Sequence, residues 1–355
     1  WGIVGVSLRQ ADTRDALAPQ DGLYTVAVRD ADAGGRARQR LQVIGCVTRL
    51  LVAPESPVAV LDAIAAPATR IVSLTVTEKG YAHDPATRAL RFEHPDIAHD
   101  LSHAEAPRSA IGFIVHGLAR RRAAGLGPVT LLSLDNLPSN GPTLQGLVLA
   151  FAERVDPALA RWIADDCAFP GSMVDRIVPR TTDADRGQVD AQLGLHDAWP
   201  VMAEPFFDWA VEDRFAAGRP AWDQGGARFV AEAAPFETLK LRMVNGAHST
   251  IAYLGAMAGW RTVDVAIGQP DLRRAVEALM RDEIEPTLPA MPGLDLKARR
   301  RNVRGAFAVN GTALPARVAL IDDVMTSGAT LNEAAKMLKR AGVAWVEVWV
   351  LSRKP

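Results

Sequence analysis

Cysteine is almost absent: Cys46 and Cys167 are the only two in 355 residues. That excludes a disulfide framework and a cysteine-rich zinc site, and it suits a reducing cytoplasm. Net charge is also small, at −1. A chain so balanced has no bulk attraction for nucleic acid or for an anionic membrane surface. No apolar run approaches the ~20 residues that a membrane helix needs, and no secretory signal pattern is visible. A Gly-x-Gly-x-x-Gly phosphate turn does not occur. What is present is ordinary for a globular protein, with 48% hydrophobic and 23% charged residues. The length suits two domains, or one large domain with an appendage.

The chain opens with Trp1 and runs directly into Gly2-Ile3-Val4-Gly5-Val6-Ser7-Leu8. This run reads as a buried strand with no element before it, as though something upstream were missing. Ile71 to Val76 is a short β-branched run, expected as a strand buried on both faces. Ala110–Ala124 follows as a helix with a basic end, Arg120-Arg121-Arg122. Val129–Leu134 is a second apolar strand, closed by the turn-rich Asp135-Asn136-Leu137-Pro138-Ser139-Asn140-Gly141, and Leu144–Val155 reads as a helix. Strand, helix, strand, helix implies parallel crossovers and an α/β sheet. Ligands of such sheets sit at the carboxyl ends of the strands, so the loops after Thr75 and Ser133 draw attention. Residues 195–230 are expected to be loop-rich and aromatic. Helix is expected from Pro235 to about Gly259 and from Pro270 to Ile284, until Pro286, Pro289 and Pro292 interrupt it.

One helix carries candidate chemistry. Taken as α-helical from Phe236 to Ser249, it places Asn245 ~140° and His248 ~80° from Lys240 around the axis. Asn245 and His248 are i,i+3 neighbours. Leu239, Met243, Ala247, Ile251 and Leu254 make the remainder apolar, so burial is expected. A buried lysine loses hydration of its charged form, and its pKa falls toward neutrality. Such an amine suits general-base removal of a proton from an alcohol, with an amide and an imidazole to hold the oxygen as charge develops. A solvated lysine beside a structural Asn–His pair fits the same spacing. Gly246 costs roughly 1 kcal/mol inside a helix, which points to close approach of something to the backbone.

The Lys240-x4-Asn245-x2-His248 pattern resembles the signature of the polyol-specific long-chain dehydrogenases, the mannitol dehydrogenase family. The resemblance runs from Trp1 to about Leu296. Its further landmarks are Trp1–Val6, Thr75–Tyr81, Asp135–Gly141, Met173–Ile177 and Asp197–Val201. The resemblance implies an NAD-dependent oxidoreductase that moves a hydride at C2 of a polyol/ketose pair such as mannitol/fructose, without a metal. Fructuronate and tagaturonate reductases share the scaffold. By resemblance Lys240 is the general acid/base, Asn136 and Asn245 form an oxyanion hole, and His248 positions the substrate. Asp175 and Glu78 stand near the polyol, and Asp12 binds the ribose hydroxyls and favours NAD over NADP. Plainer readings stand beside these: a helix cap for Asp12, a turn residue for Asn136, an ion-pair partner of Arg176 or Arg180 for Asp175, a solvated loop charge for Glu78. Compared with the family pattern, the first glycine-rich βα unit and the long helical tail after Leu296 are missing. Impaired cofactor affinity and turnover are therefore expected.

The last stretch reads differently. Val318–Ile321 is a strand, Asp322–Gly328 a loop, Thr330–Ala341 a helix and Trp345–Leu351 a strand. Paired acids followed by a small-residue loop at a helix N-terminus make a phosphate cradle. The segment resembles the signature of type I phosphoribosyltransferases, and with Arg301–Phe307 the competence-protein F group. That resemblance implies Asp322 and Asp323 on a ribose, and Thr326, Ser327, Gly328 and Thr330 on the 5′-phosphate of phosphoribosyl pyrophosphate. The expected fold class is thus α/β: an incomplete Rossmann-like parallel sheet over residues 1–230, a truncated helical substrate domain over 231–297, and a chimeric phosphoribosyltransferase-like βαβ unit over 298–355. A monomer in the cytoplasm acting on a small polyol or ketose is expected. The alternatives are a phosphoribosyl pyrophosphate-binding module and an inactive fused fragment.

Overall fold

The computed structural model describes residues 1–31, 37–289, 317–325 and 345–353. The chain divides into two compact units, Trp1–Ala234 and Pro235–Pro355.

The first unit begins with β1 (Ile3–Ser7) and α1 (Asp12–Leu17). An antiparallel hairpin follows, β2 (Tyr24–Ala31) against β3 (Ala37–Ile44), in register from Tyr24 opposite Ile44 to Ala31 opposite Ala37. β4 (Val47–Val52) pairs in parallel with β1, and α2 (Pro57–Ala65) starts on a proline whose missing N–H would have no helical partner. β5 (Ile71–Leu74) leads through the short turns α3 (Thr77–Gly80) and α4 (Pro95–Asp100) into α5 (Ala110–Ala123). Ser109 caps α5, its hydroxyl accepting the Gly112 N–H at 2.9 Å. β6 (Thr130–Ser133) returns parallel to β5, residue for residue from Ile71 opposite Thr130 to Leu74 opposite Ser133. On the other side of β6, the Leu131 N–H donates to the Ala168 carbonyl at 2.8 Å.

Helices α6 (Asn140–Val155) and α7 (Pro157–Asp166) close the crossover to β7 (Ser172–Asp175). The core lies here: Ile111, Ile114 and Leu118 of α5, Leu131 of β6, and Leu144, Leu147 and Phe151 of α6 are at most 1% exposed. Beyond α8 (Asp183–Leu193) come β8 (Val201–Ala203), β9 (Asp208–Glu212) and β10 (Arg228–Val230). β9 lies between β7, antiparallel, and β10, parallel, while β8 joins β2 in parallel.

The second unit starts with α9 (Ala234–Leu239), passes through a π-helical stretch at Lys240–Asn245 and continues as α10 (Gly246–Met257). Helices α11 (Val263–Ile267) and α12 (Pro270–Ala278) follow, and α12 runs into a second π stretch, Leu279–Ile284. Two more strands, β11 (Arg317–Met325) and β12 (Trp345–Arg353), pair in parallel.

Several expectations need correction. The opening strand is not buried: Ile3 is 52% and Val6 40% exposed, because β4 covers one edge and nothing among the described residues covers the other. β5 is not buried on both faces either, since Ser73 is exposed and only Leu74 is buried, whereas all four residues of β6 are buried. Residues 195–230 hold three short strands, and their aromatics pack on one another: Trp222 contacts Trp209, Phe215 and Phe229. The paired acids Asp322 and Asp323 lie within β11, not in a loop, because the ladder to β12 continues to Met325 opposite Arg353. Thr326, Ser327, Gly328, Thr330 and the helix expected at 330–341 lie outside the described residues.

Candidate active site

Three of the residues singled out in the sequence stand at the carboxyl ends of consecutive strands of the first unit. Glu78 follows β5, on α3; Asn136 is in the loop after β6; Asp175 ends β7. Glu78 and Asn136 are exposed and Asp175 is half-buried.

Hydrogen bonds tie the ends of β5 and β6 together and join the loop after β6 to the start of β7. The Asp135 carboxylate accepts the N–H of Val76 at 2.9 Å, the N–H of Thr77 at 3.0 Å and the hydroxyl of Tyr81 at 2.7 Å. Tyr81 is fully buried, and burial pushes its phenol well above the ordinary value, so it remains a donor. The Ser133 hydroxyl stands 2.7 Å from the same phenol oxygen. With the Tyr81 proton committed to a carboxylate that can only accept, the serine proton points to Tyr81.

Asn140 joins the loop after β6 to β7. Its amide donates to the Ser172 carbonyl at 2.9 Å and, at 3.2 Å, to the carbonyls of Ser133 and Asp135. Its Oδ1 accepts the Ser172 N–H at 2.9 Å. The Ser172 hydroxyl donates to the Ser133 carbonyl at 2.6 Å. Buried polar groups that are fully paired in this way fix a unique arrangement.

Gly141 lets α6 begin where it does: a Cβ there would stand 2.7 Å from the Gly171 nitrogen and 2.8 Å from the Phe169 oxygen. Those are backbone atoms and cannot turn aside. Beside them Glu212 accepts the N–H of Gly171 at 2.9 Å and of Ala233 at 3.2 Å. Burial works to raise the Glu212 carboxyl, but these N–H groups and the Arg214 guanidinium outweigh it and hold it below the usual carboxylate range.

Asp12 is in the first turn of α1, five residues past the end of β1, and is exposed. Its Oδ1 accepts the Thr13 N–H at 2.8 Å, so it satisfies a helix-terminal donor although Ala11 is the capping residue. Arg176, a partner considered for Asp175, directs its guanidinium to the Glu204 carbonyl at 2.9 Å.

Lys240, Asn245 and His248 belong to the second unit. The expected apolar face is present: Leu239, Met243, Ala247, Ile251 and Leu254 are all buried. The opposite face is more open than expected, with Lys240 half-buried and Asn245 and His248 exposed. The helix is also not uniformly α. Lys240–Asn245 is π-helical, and the Gly246 N–H reaches back five residues to the Leu241 carbonyl. In i→i+5 bonding the axial neighbour of Lys240 is Asn245, five residues on. The wide angle expected between the two in a regular α-helix therefore closes.

Arg242 fastens the π stretch, donating to the Thr287 carbonyl at 2.8 Å. At Gly246 a Cβ would have its nearest neighbours at 3.9 Å, the Ile284 side chain and the Leu241 oxygen. Protein packing therefore does not demand a glycine there. No group of three or more metal-ligating side chains occurs among the described residues.

Sequence reasoning passed over Asp135, Asn140, Ser172 and Tyr81 as functional residues, although three of them stand inside the motifs it quoted. Their tell-tale was a run of polar side chains bracketing an apolar strand, at positions where a turn residue explained them adequately.

A parallel sheet whose strand ends gather polar side chains, followed by a separate helical unit, has the layout of a nucleotide-dependent α/β dehydrogenase. The profile of the mannitol dehydrogenase Rossmann domain matches residues 1–224, and that of the mannitol dehydrogenase C-terminal domain matches residues 232–310. The chain belongs to the mannitol dehydrogenase family. It is 40% identical over 311 residues to Mannitol dehydrogenase 2 of Saccharomyces cerevisiae, covering 87% of this chain and 61% of that one.

Among solved structures, it matches D-sorbitol dehydrogenase in substrate-free form with a TM-score of 0.80 at 35% identity, over 86% of this chain and 63% of that one. It matches the Pseudomonas fluorescens mannitol 2-dehydrogenase ternary complex with NAD and D-mannitol with a TM-score of 0.77 at 40% identity, over 85% of this chain and 61% of that one. The chain thus spans less than two thirds of the length of these relatives. The phosphoribosyltransferase resemblance of the tail is not shown by these matches. Among the described residues no helix is long and apolar enough to cross a membrane.

Proposed function

We propose that the chain carries the catalytic core of an NAD-dependent polyol dehydrogenase, acting at C2 of a polyol/ketose pair such as mannitol/fructose. The observation that carries this reading is that Glu78, Asn136 and Asp175 each stand at the carboxyl end of one of three consecutive strands, with Asp135 joining the loops after the first two. The relatives support it: one solved neighbour is a mannitol 2-dehydrogenase in complex with NAD and D-mannitol.

The residues present fit the ribose end of the cofactor. Asp12 is exposed beyond a parallel strand, with one carboxylate oxygen accepting the Thr13 N–H of its own helix, and a carboxylate is an acceptor suited to a vicinal diol. Nicotinamide, when bound, would supply the acceptor for the hydride from C2. Lys240 is the group that takes the proton of the C2 hydroxyl as the hydride leaves C2, the two losses together turning the alcohol into a ketone. Asn136 and Asn245 donate amide hydrogens to the oxygen as negative charge develops on it. His248 orients the substrate through its exposed imidazole. Asp175 and Glu78 accept from the remaining hydroxyls. A cytoplasmic monomer is part of the same reading, and the free thiols Cys46 and Cys167 suit a reducing compartment.

The test of this reading is direct. The chain is incubated with NAD and either D-mannitol, D-sorbitol or a hexonate, and formation of reduced nicotinamide is followed. Turnover with a polyol is expected. Its absence at millimolar polyol and cofactor would refute the activity for this chain.

A further inference from the structure

We infer that Asp135 is a positioning residue of the polyol site, holding the Val76–Thr77 turn so that Glu78 stands where substrate meets Asn136. The inference deepens the proposed dehydrogenase reading and rests on it. Thr77 has φ +62°, in the left-handed region. For a β-branched residue that conformation is strained, and it persists only where the surroundings impose it. Here the imposing contact is visible. The two oxygens of one carboxylate take the consecutive N–H groups of Val76 and Thr77, at 2.9 and 3.0 Å.

Both parts of Asp135 are held. Tyr81, fully buried, donates to the carboxylate Oδ2 at 2.7 Å, and the backbone carbonyl accepts from Asn140 at 3.2 Å. Asp135 is also the immediate neighbour of Asn136 and is bonded to the immediate neighbour of Glu78. A single side chain thus couples the loop that bears the candidate oxyanion donor to the loop that bears the candidate hydroxyl acceptor. The contact spans 58 residues of sequence between Thr77 and Asp135. Three of the acceptor positions of the carboxylate are thus taken by protein donors.

Three measurements on the full chain test this: amide hydrogen exchange at Val76 and Thr77, thermal unfolding, and steady-state kinetics. In Asp135→Asn the isosteric amide keeps the volume but loses one acceptor. We expect the two amides to lose protection while the α5–α6 core keeps it. We expect kcat/KM for the polyol to fall by about 10²-fold, the scale of a small misplacement at a reacting centre. The KM for the polyol rises and the KM for NAD stays within about twofold, since the clamp acts on the polyol side alone.

Adding Thr77→Gly to Asp135→Asn should restore part of the loss, because glycine holds the left-handed turn without help. Unchanged amide protection, an unchanged polyol KM, or no recovery from glycine would each overturn the inference. If the parent chain turns over no polyol, the dehydrogenase reading falls and the positioning role with it. The exchange pattern would then still report whether the carboxylate holds the turn.

Discussion

Asn140 and Ser172 hold each other in a two-way hydrogen bond: the Ser172 N–H donates to the Asn140 Oδ1 at 2.9 Å, and the Asn140 amide donates to the Ser172 carbonyl at 2.9 Å. The pair copies the pattern of a strand ladder with one side chain in place of a backbone. It joins the loop after β6, which bears Asn136, to the first residue of β7, the strand that ends at Asp175. Asn140→Ala would leave buried groups of Ser172 unpaired, at about 1–3 kcal/mol each. Chemical denaturation should show a loss of at least that size. Asn140→Asp, which removes the donors and sets a buried carboxylate against the carbonyls of Ser133, Asp135 and Ser172, should lose at least as much as alanine.

The glycine beside it has an equally specific duty. A Cβ on Gly141 would sit 2.7–2.8 Å from three backbone atoms of residues 169–171. Gly141→Ala must push α6 away from that segment, at about 1–3 kcal/mol. The expected outcome is a lower midpoint of unfolding together with a weaker Asn140–Ser172 pair. A midpoint equal to that of the parent would contradict the packing described.

Much of this was legible in the chain, but unevenly. β6 was readable from its apolar run and α5 from its helical stretch with a basic end, and both are buried largely by the residues that form them. β1 and β5 misled the reading: hydrophobicity says that a strand can be buried, and only its neighbours decide whether it is. The candidate residues Glu78, Asn136 and Asp175 were recognisable by motif. What placed them was not: the contact of Asp135 with Val76 and Thr77 is long-range and leaves no periodic trace. The π turn at Lys240–Asn245 was equally hidden, since a single wide turn keeps the 3–4 residue spacing of the buried face (Leu239, Met243, Ala247, Ile251) intact.

Gly246 separates stability from function. Its φ is −61° and the nearest atoms to an added Cβ are 3.9 Å away. Gly246→Ala should therefore stabilise the protein by roughly 0.5–1 kcal/mol, as expected for alanine over glycine in a helix. Polyol turnover should fall in the same variant, because the proposed reading has substrate approach the backbone beside Asn245. A thermal shift assay and a rate assay on one preparation decide both.

Acid should loosen the hold of β9 on Gly171 and Ala233. Glu212 has its carboxyl held below the usual value by the Gly171 and Ala233 N–H groups and by Arg214, against the opposing effect of burial. A group depressed on folding stabilises fully above its unfolded value, about 4.3 for glutamate. That contribution is lost as pH falls through the lower folded value. Unfolding free energy measured between neutral pH and about pH 3 should decline over the acid range. The decline should be shallower in Glu212→Gln, which no longer titrates there.

The central claim is that Lys240 takes the proton from the polyol, and its test is kcat for mannitol oxidation in Lys240→Ala, with NAD binding measured alongside by fluorescence. Loss of a general base costs about 10²–10⁴-fold in rate. The account predicts a fall of at least that size with cofactor binding unchanged. A variant that oxidises mannitol at the parental rate would contradict it.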